Sequence, residues 1–201
     1  MTGYTPTEAA LLTGLPLAAV RRALEDEVVP SRRVRSGRLV QRIVSHDGLL
    51  CLKLEHLGVG RLPLAYRRRV YRVVLAQPTI PQLRESEAIT IEVRKARTDL
   101  KNAITNYKKA HTMVVQNRET MGGTPVIRGT RIPVHLVAEM RRQGTSVEEI
   151  LEGYPSLTRE HIRLAEFYAQ AHPRRGPKAK TRLPQGARVV SHKVYPLNRA
   201  S

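Results

Sequence analysis

The sequence predicts a mainly α-helical fold with small β elements. It has an N-terminal winged helix-turn-helix, a C-terminal trihelical unit that is itself helix-turn-helix-like, and an extended basic tail. Three observations predict this. Apolar residues recur at helical spacing in short segments opened by Ser, Thr or Pro and closed by Gly or Pro. A basic stretch with β-branched residues on both sides of Ser36-Gly37 carries a hairpin signal. The 201 residues hold 35 Lys+Arg against 17 Asp+Glu, a formal net charge of +18, and the excess is regional.

Each element has a local reason. Thr5 is placed to cap a first helix, with Pro6 at its first position and Glu8 completing a capping box. Gly14 breaks the pattern, and Leu15-Pro16 opens a second helix with Val20, Ala23 and Leu24 as its apolar stripe. Helix, tight glycine turn, helix is the helix-turn-helix arrangement, and it leaves Arg21 and Arg22 on the exposed face. Residues 31–42 read as a basic hairpin, the wing. Ser45 caps a helix over about 46–57 that buries Leu49, Leu50, Leu52, Leu54 and Leu57, although Gly48 in its first turn weakens it. Pro63 opens a helix to about Leu75, closed by Pro78. Ile89–Val93 alternates as a strand. A helix over about 94–112 follows, with Leu100, Ala103, Ile104, Tyr107 and Ala110 on one stripe, as a linker or a dimer seam. Residues 122–133 suggest a short strand or hairpin around Arg128-Gly129-Thr130. Three helices then run over about 133–143, from a Thr145 or Ser146 cap to Gly153, and from a Thr158 cap to His172. The predicted units are thus 1–78, 79–120, 121–172 and the tail 173–201.

Charge narrows the function classes. Residues 1–80 hold 13 basic and 6 acidic side chains, residues 121–172 hold 6 of each, and residues 173–201 hold 8 basic and no acidic ones. Two basic regions therefore flank a neutral module, which points to nucleic acid or an acidic protein partner. No run reaches the length of apolar residues a membrane span needs, and the opening residues lack a secretory pattern. A single cysteine, Cys51, excludes an internal disulfide framework and multi-cysteine metal sites. A cytoplasmic protein without membrane contact is expected. The tail lacks the apolar content to offset its own ordering and is expected to be extended when free, with Val189, Val190, Val194, Tyr195 and Leu197 as possible anchors on a partner.

Catalytic chemistry is not indicated. The histidines at 46, 56, 111, 135, 161, 172 and 192 show no metal-ligand spacing and read as surface or capping residues. Cys51 sits among leucines and reads as a core residue. The Gly122-Gly123 and Gly129 cluster lacks the ending of a phosphate loop. No enzyme, cofactor or metal is expected.

Residues 4–54 resemble the MerR-like winged-helix DNA-binding domain through Tyr4-Thr5-Pro6, Glu8-Ala9-Ala10, Thr13-Gly14-Leu15, the basic wing around Gly37 and the helix from Ser45. Arg22-Ala23 stands where that family usually shows aromatics. Residues 121–172 resemble the trihelical domain of unknown function 433, through Gly122-Gly123-Thr124-Pro125-Val126-Ile127-Arg128-Gly129-Thr130-Arg131-Ile132-Pro133, Ser146-Val147-Glu148-Glu149-Ile150-Leu151 and Tyr154-Pro155. The two resemblances together look like a VapB-type antitoxin paired with a PIN-like ribonuclease toxin.

The resemblance implies a protein that neutralises such a toxin and represses its own promoter, as a homodimer or a toxin–antitoxin hetero-oligomer. Arg21 and Arg22 are the candidates for the major groove, and Arg32, Arg33, Arg35, Arg38 and Arg42 for wing and phosphate contacts. Arg174, Arg175, Lys178, Lys180, Arg182 and Arg188 are the toxin-binding candidates, because arginine pairs bidentately with the carboxylates of a metal-binding nuclease site. The tail as a DNA-gripping arm, in a stand-alone transcriptional regulator, is the other reading. Arg128 and Arg131 are open between partner, DNA, second-subunit and structural roles. An RNA-binding module is disfavoured, since basic residues are not interleaved with aromatics.

Overall fold

A computed structural model describes residues 3–36, 39–87, 89–117 and 121–174. Among them the protein is mainly helical, with small antiparallel strand pairs. Helix α1 (Pro6–Thr13) starts as its sequence dictates: Thr5 accepts from the Glu8 amide, and the Glu8 carboxylate accepts from the Thr5 amide at 2.7 Å. Gly14 ends it in the left-handed region at φ 79°, its amide bonded to the Ala10 carbonyl, a conformation that costs a residue with a Cβ. Helix α2 (Leu17–Glu25) buries Val20, Ala23 and Leu24, the expected stripe. Strands β1 (Ser31–Ser36) and β2 (Leu39–Val44) pair antiparallel, and Tyr4 bridges to Val44 on the outer edge of β2.

Helix α3 (His46–His56) is capped by Ser45 and buries Leu49, Leu50, Cys51, Leu52 and Leu54. Leu57, expected on that buried side, is 40% exposed: the helix stops at His56, and the turn into Gly58 carries the side chain outward. Gly48 lies where α3 presses on the chain before it, since a Cβ there would stand 2.3 Å from the Pro30 carbonyl oxygen and 2.8 Å from Val44 Cγ1. Helix α4 (Leu64–Ala76) follows, then the small pair β3 (Gln82–Arg84) and β4 (Thr90–Glu92). Arg97 ties this region together by donating to the carbonyls of Ile80 (2.7 Å), Val74 (3.2 Å) and Gln77 (3.2 Å).

Helix α5 (Val93–Met113) is the backbone of the molecule. Its Val93, Ala96, Leu100 and Ile104 lie in a first core with α1–α4, while Ala110 and Met113 lie in a second. The second core is completed by β5 (Val114–Val115), β6 (Val126–Ile127), α6 (Val134–Arg142), α7 (Val147–Gly153) and α8 (Arg159–Ala171). Strand β6 pairs with β5 at the end of α5, and Val126 also bridges to Pro133. The partner strand at 114–115 lies outside the segment whose sequence suggested a strand. Ser146 caps α7 in a box with Glu149, and Thr158 caps α8 in a box with His161. Phe167 of α8 packs against both cores. Fully burying a side chain the size of Leu12, Leu52, Ile127 or Ile162 contributes about 1.5–3 kcal/mol, which is what makes short helices persist here. Among the described residues no helix is long and apolar enough to cross a membrane.

Candidate nucleic-acid interface

The basic side chains of the N-terminal half are held by three elements. On α2 the buried stripe fixes the helix rotation, so Arg21 and Arg22 face solvent and enter no ion pair among the described residues. The hairpin register then sorts the next group. Arg33 lies opposite Arg42 and Arg35 opposite Val40, which puts Arg33, Arg35 and Arg42 on one face, while Arg32 lies opposite Ile43 on the other. Arg32, Arg33 and Arg35 are exposed. Arg42 is half-buried and donates to the Leu24 carbonyl near the C-terminus of α2, so the Arg33–Arg35 face turns toward that helix end. Arg38 lies outside the described residues.

Helix α4 adds basic groups that the sequence reading passed over. Arg68 donates to the Asp26 carbonyl at 3.4 Å, and Arg72 is exposed one turn further on. The run Arg67-Arg68-Arg69 gave a signal, but its charges divide between roles. Arg67 is half-buried and pairs with Glu55, its Nε 2.8 Å from Oε1, and Tyr71 donates to the same oxygen at 2.5 Å. Arg69 stands 3.9 Å from Glu85.

In the C-terminal half Arg174 is exposed and stands close enough to Glu139 and His135 to act on both charges. Glu139 is held below the ordinary carboxyl range, first by hydrogen bonds from Arg142 and Gln143 and then by the nearby arginine charges. Arg175, Lys178, Lys180, Arg182 and Arg188 lie outside the described residues, as does the stretch 189–197. Arg128 braces the fold, donating through Nε to the Thr112 carbonyl at 2.9 Å while its amide bonds the Met113 carbonyl at 2.7 Å. It therefore closes the C-terminus of α5 onto β6. Arg131 is exposed.

Two chemically able groups lie away from this surface. Cys51 is fully buried, and its thiol is pushed up to about 12, mainly by burial and then by the charges of Asp47 and Glu55. His111 and His172, expected as separate surface residues, meet with Nε2 atoms 2.9 Å apart beside Glu8. No local spacing signals this, because the three residues come from α1, the end of α5 and the residue after α8.

A family model described as "Protein of unknown function (DUF433)" matches residues 114–169. Over 203 residues the chain is 31% identical to "Uncharacterized protein y4eO" of Sinorhizobium fredii, covering 92% of this chain and 89% of that one. Among solved structures, it is similar to a DUF433 member protein from Anabaena variabilis, with 28% identity over 53% of this chain and 88% of that chain, at a TM-score of 0.29.

Proposed function

We infer, from the premise that this chain belongs to the same family as y4eO and carries a DUF433 domain at residues 114–169, that it is a DNA-binding repressor of the antitoxin class. In this reading α1 and α2 form a helix-turn-helix and β1–β2 its wing, as in MerR-like domains. The second helix enters the major groove, with Arg21 and Arg22 at the bases or flanking phosphates, and the wing grips the backbone. A dimer would present two such units to a two-fold symmetric operator. The basic tail supplies the second half of the function. Its arginines and lysines pair with the carboxylates of a PIN-like ribonuclease and keep metal from its site.

The observation that carries the reading is the exposure of Arg21 and Arg22 on the helix whose C-terminal carbonyl is gripped by the wing's own Arg42. Helix and hairpin are thereby locked into one basic surface. The neutral residues 121–172 are not used as a second DNA reader. Full-length protein and a chain ending at residue 172 are to be compared for promoter DNA binding and for retention of protein from nuclease-treated native lysate. Promoter binding by both, with an acidic ribonuclease-class partner held only by the full chain, is the expected result. No DNA binding by either would refute the repressor assignment. DNA binding without a stoichiometric protein partner would refute the antitoxin assignment and leave a stand-alone regulator.

A further inference from the structure

We propose that Glu8, His111 and His172 form a binding site for a divalent transition-metal ion of the zinc class, placed where the N-terminal helices meet the DUF433 helices. The three side chains come from α1, from α5 and from the residue that ends α8. One ligand atom from each lies within 4.8 Å of the other two. His111 Nε2 and His172 Nε2 are 2.9 Å apart, and His172 Nε2 is 4.0 Å from Glu8 Oε1. Ligands held at zinc distances around a tetrahedral ion stand about 3.3 Å from one another, so these two separations bracket the required value. Two imidazoles and one carboxylate are a zinc ligand set, and three protein ligands leave a fourth position for water or a further donor. The two nitrogens disfavour calcium and magnesium, which take oxygen.

The surroundings are those of a supported site. Glu8 is buried, and both its oxygens are already oriented: Oε1 accepts from the Tyr107 hydroxyl at 2.7 Å and Oε2 from the Thr5 amide at 2.7 Å. A ligating carboxylate fixed by such hydrogen bonds loses little freedom on binding an ion. The imidazoles are fixed by rings. Tyr107 lies 4.4 Å from His111 and Tyr168 lies 4.6 Å from His172, centroid to centroid. Both Nε2 atoms converge on one point, where two imidazolium ions would repel each other. In the hydrogen bond between them one Nε2 carries the proton, and a cation that displaces that proton would meet two ring nitrogens and a carboxylate at once. His111 is exposed, which gives an ion a path in. Because the ligands are distant in sequence, an ion would also tie α1 to the end of α8, where the basic tail begins.

The test uses the untagged full-length chain, stripped with a chelator and then given zinc or cobalt(II). The expected results are one zinc retained per chain after desalting, a cobalt absorption spectrum of tetrahedral type, and a rise in Tm that grows with free zinc. His111→Gln and His172→Gln should each weaken zinc binding at least tenfold and abolish the cobalt spectrum, and Tyr107→Phe should weaken it about tenfold or more. His46→Gln, on an exposed residue at the start of α3, should change nothing. Glu8→Gln also loses part of a helix cap, so the two histidine variants, with circular dichroism to check the fold, decide the matter. No stoichiometric zinc in the parent, or unchanged binding in a His111→Gln/His172→Gln double variant, would overturn the proposal.

Discussion

Replacing Arg33 and Arg35 together by alanine should flatten the salt dependence of duplex binding, while Arg32→Ala should leave it almost unchanged. The hairpin register sets this difference. Arg33 and Arg35 share a face with Arg42, which reaches the Leu24 carbonyl at the end of α2. Arg32 shares the opposite face with Ile43, whose Cγ2 would lie only 1.9 Å from a Cβ at Gly3. Gly3 of the N-terminal segment thus lies beside Ile43 on the second face, and in the proposed docking the DNA read by α2 would meet the first. Each neutralised phosphate contributes about 0.9 to the slope of log affinity against log salt, so two side chains account for about 1.8 per protomer. Between about 50 and 200 mM salt, the parent should then lose roughly twelvefold more affinity than the double variant for each bound protomer, or roughly 150-fold for a dimer engaged through both. Fluorescence anisotropy on a mixed-sequence duplex measures the slope directly. An unchanged slope in the double variant, or equal flattening by Arg32→Ala, would refute the assignment of that face to the DNA backbone. Arg42→Ala gives a contrast of another kind: its guanidinium holds a helix-end carbonyl, and its loss should lower stability by about 1–2 kcal/mol.

Further outcomes follow from packing. Glu55 and Arg67 are 9% and 12% exposed as side chains, so Arg67→Met should cost about 3 kcal/mol in urea unfolding by stranding the carboxylate. Glu55→Leu with Arg67→Met should recover much of that, and a double variant no better than the single would contradict it. With its thiol pushed up to about 12 and fully buried, Cys51 should react with iodoacetamide near pH 8 only as fast as the protein opens, and fast labelling in native buffer would show that the α3 core is open. Gly48→Ala should destabilise by about 1–3 kcal/mol through overpacking, although alanine normally improves a helix interior by about 1 kcal/mol. A more stable variant would show that α3 and the Pro30 carbonyl can separate.

The elements legible in the sequence are those with local causes. Thr5 with Glu8, Ser45, the Thr145-Ser146 pair and Thr158 announced their helices through caps that need only a few neighbouring residues, and the structure selects Ser146 of that pair. The stripe of α2 was legible for the same reason, and with it the exposure of Arg21 and Arg22. Strand β3 has three residues and β5 two, too few to show a period. Gly48 looks like a flaw in a helix because its cause, the Pro30 carbonyl, lies in the connection ahead of β1, eighteen residues earlier in the chain. Arg42 is a phosphate-contact candidate by sequence and Arg128 is open between contact and structural roles, yet each holds a helix-end carbonyl. That role depends on tertiary placement and leaves no mark on spacing. The meeting of His111 with His172 is hidden still more deeply, since it needs both cores in place.

Helix α5 also acts as a gauge of length. Ile104 belongs to one core and Ala110 to the other. Between them, Thr105, Lys108 and Lys109 are exposed and open to many chemical types. One added residue in this interval would advance everything beyond it by about 1.5 Å and turn it by about 100°. Phe167 would leave the first core, and His111 would swing away from Glu8. Thr105, Lys108 and Lys109 can accept changes of letter, while Tyr107 between them is held by Glu8, and a change in the number of letters would dismantle the relation between the two halves.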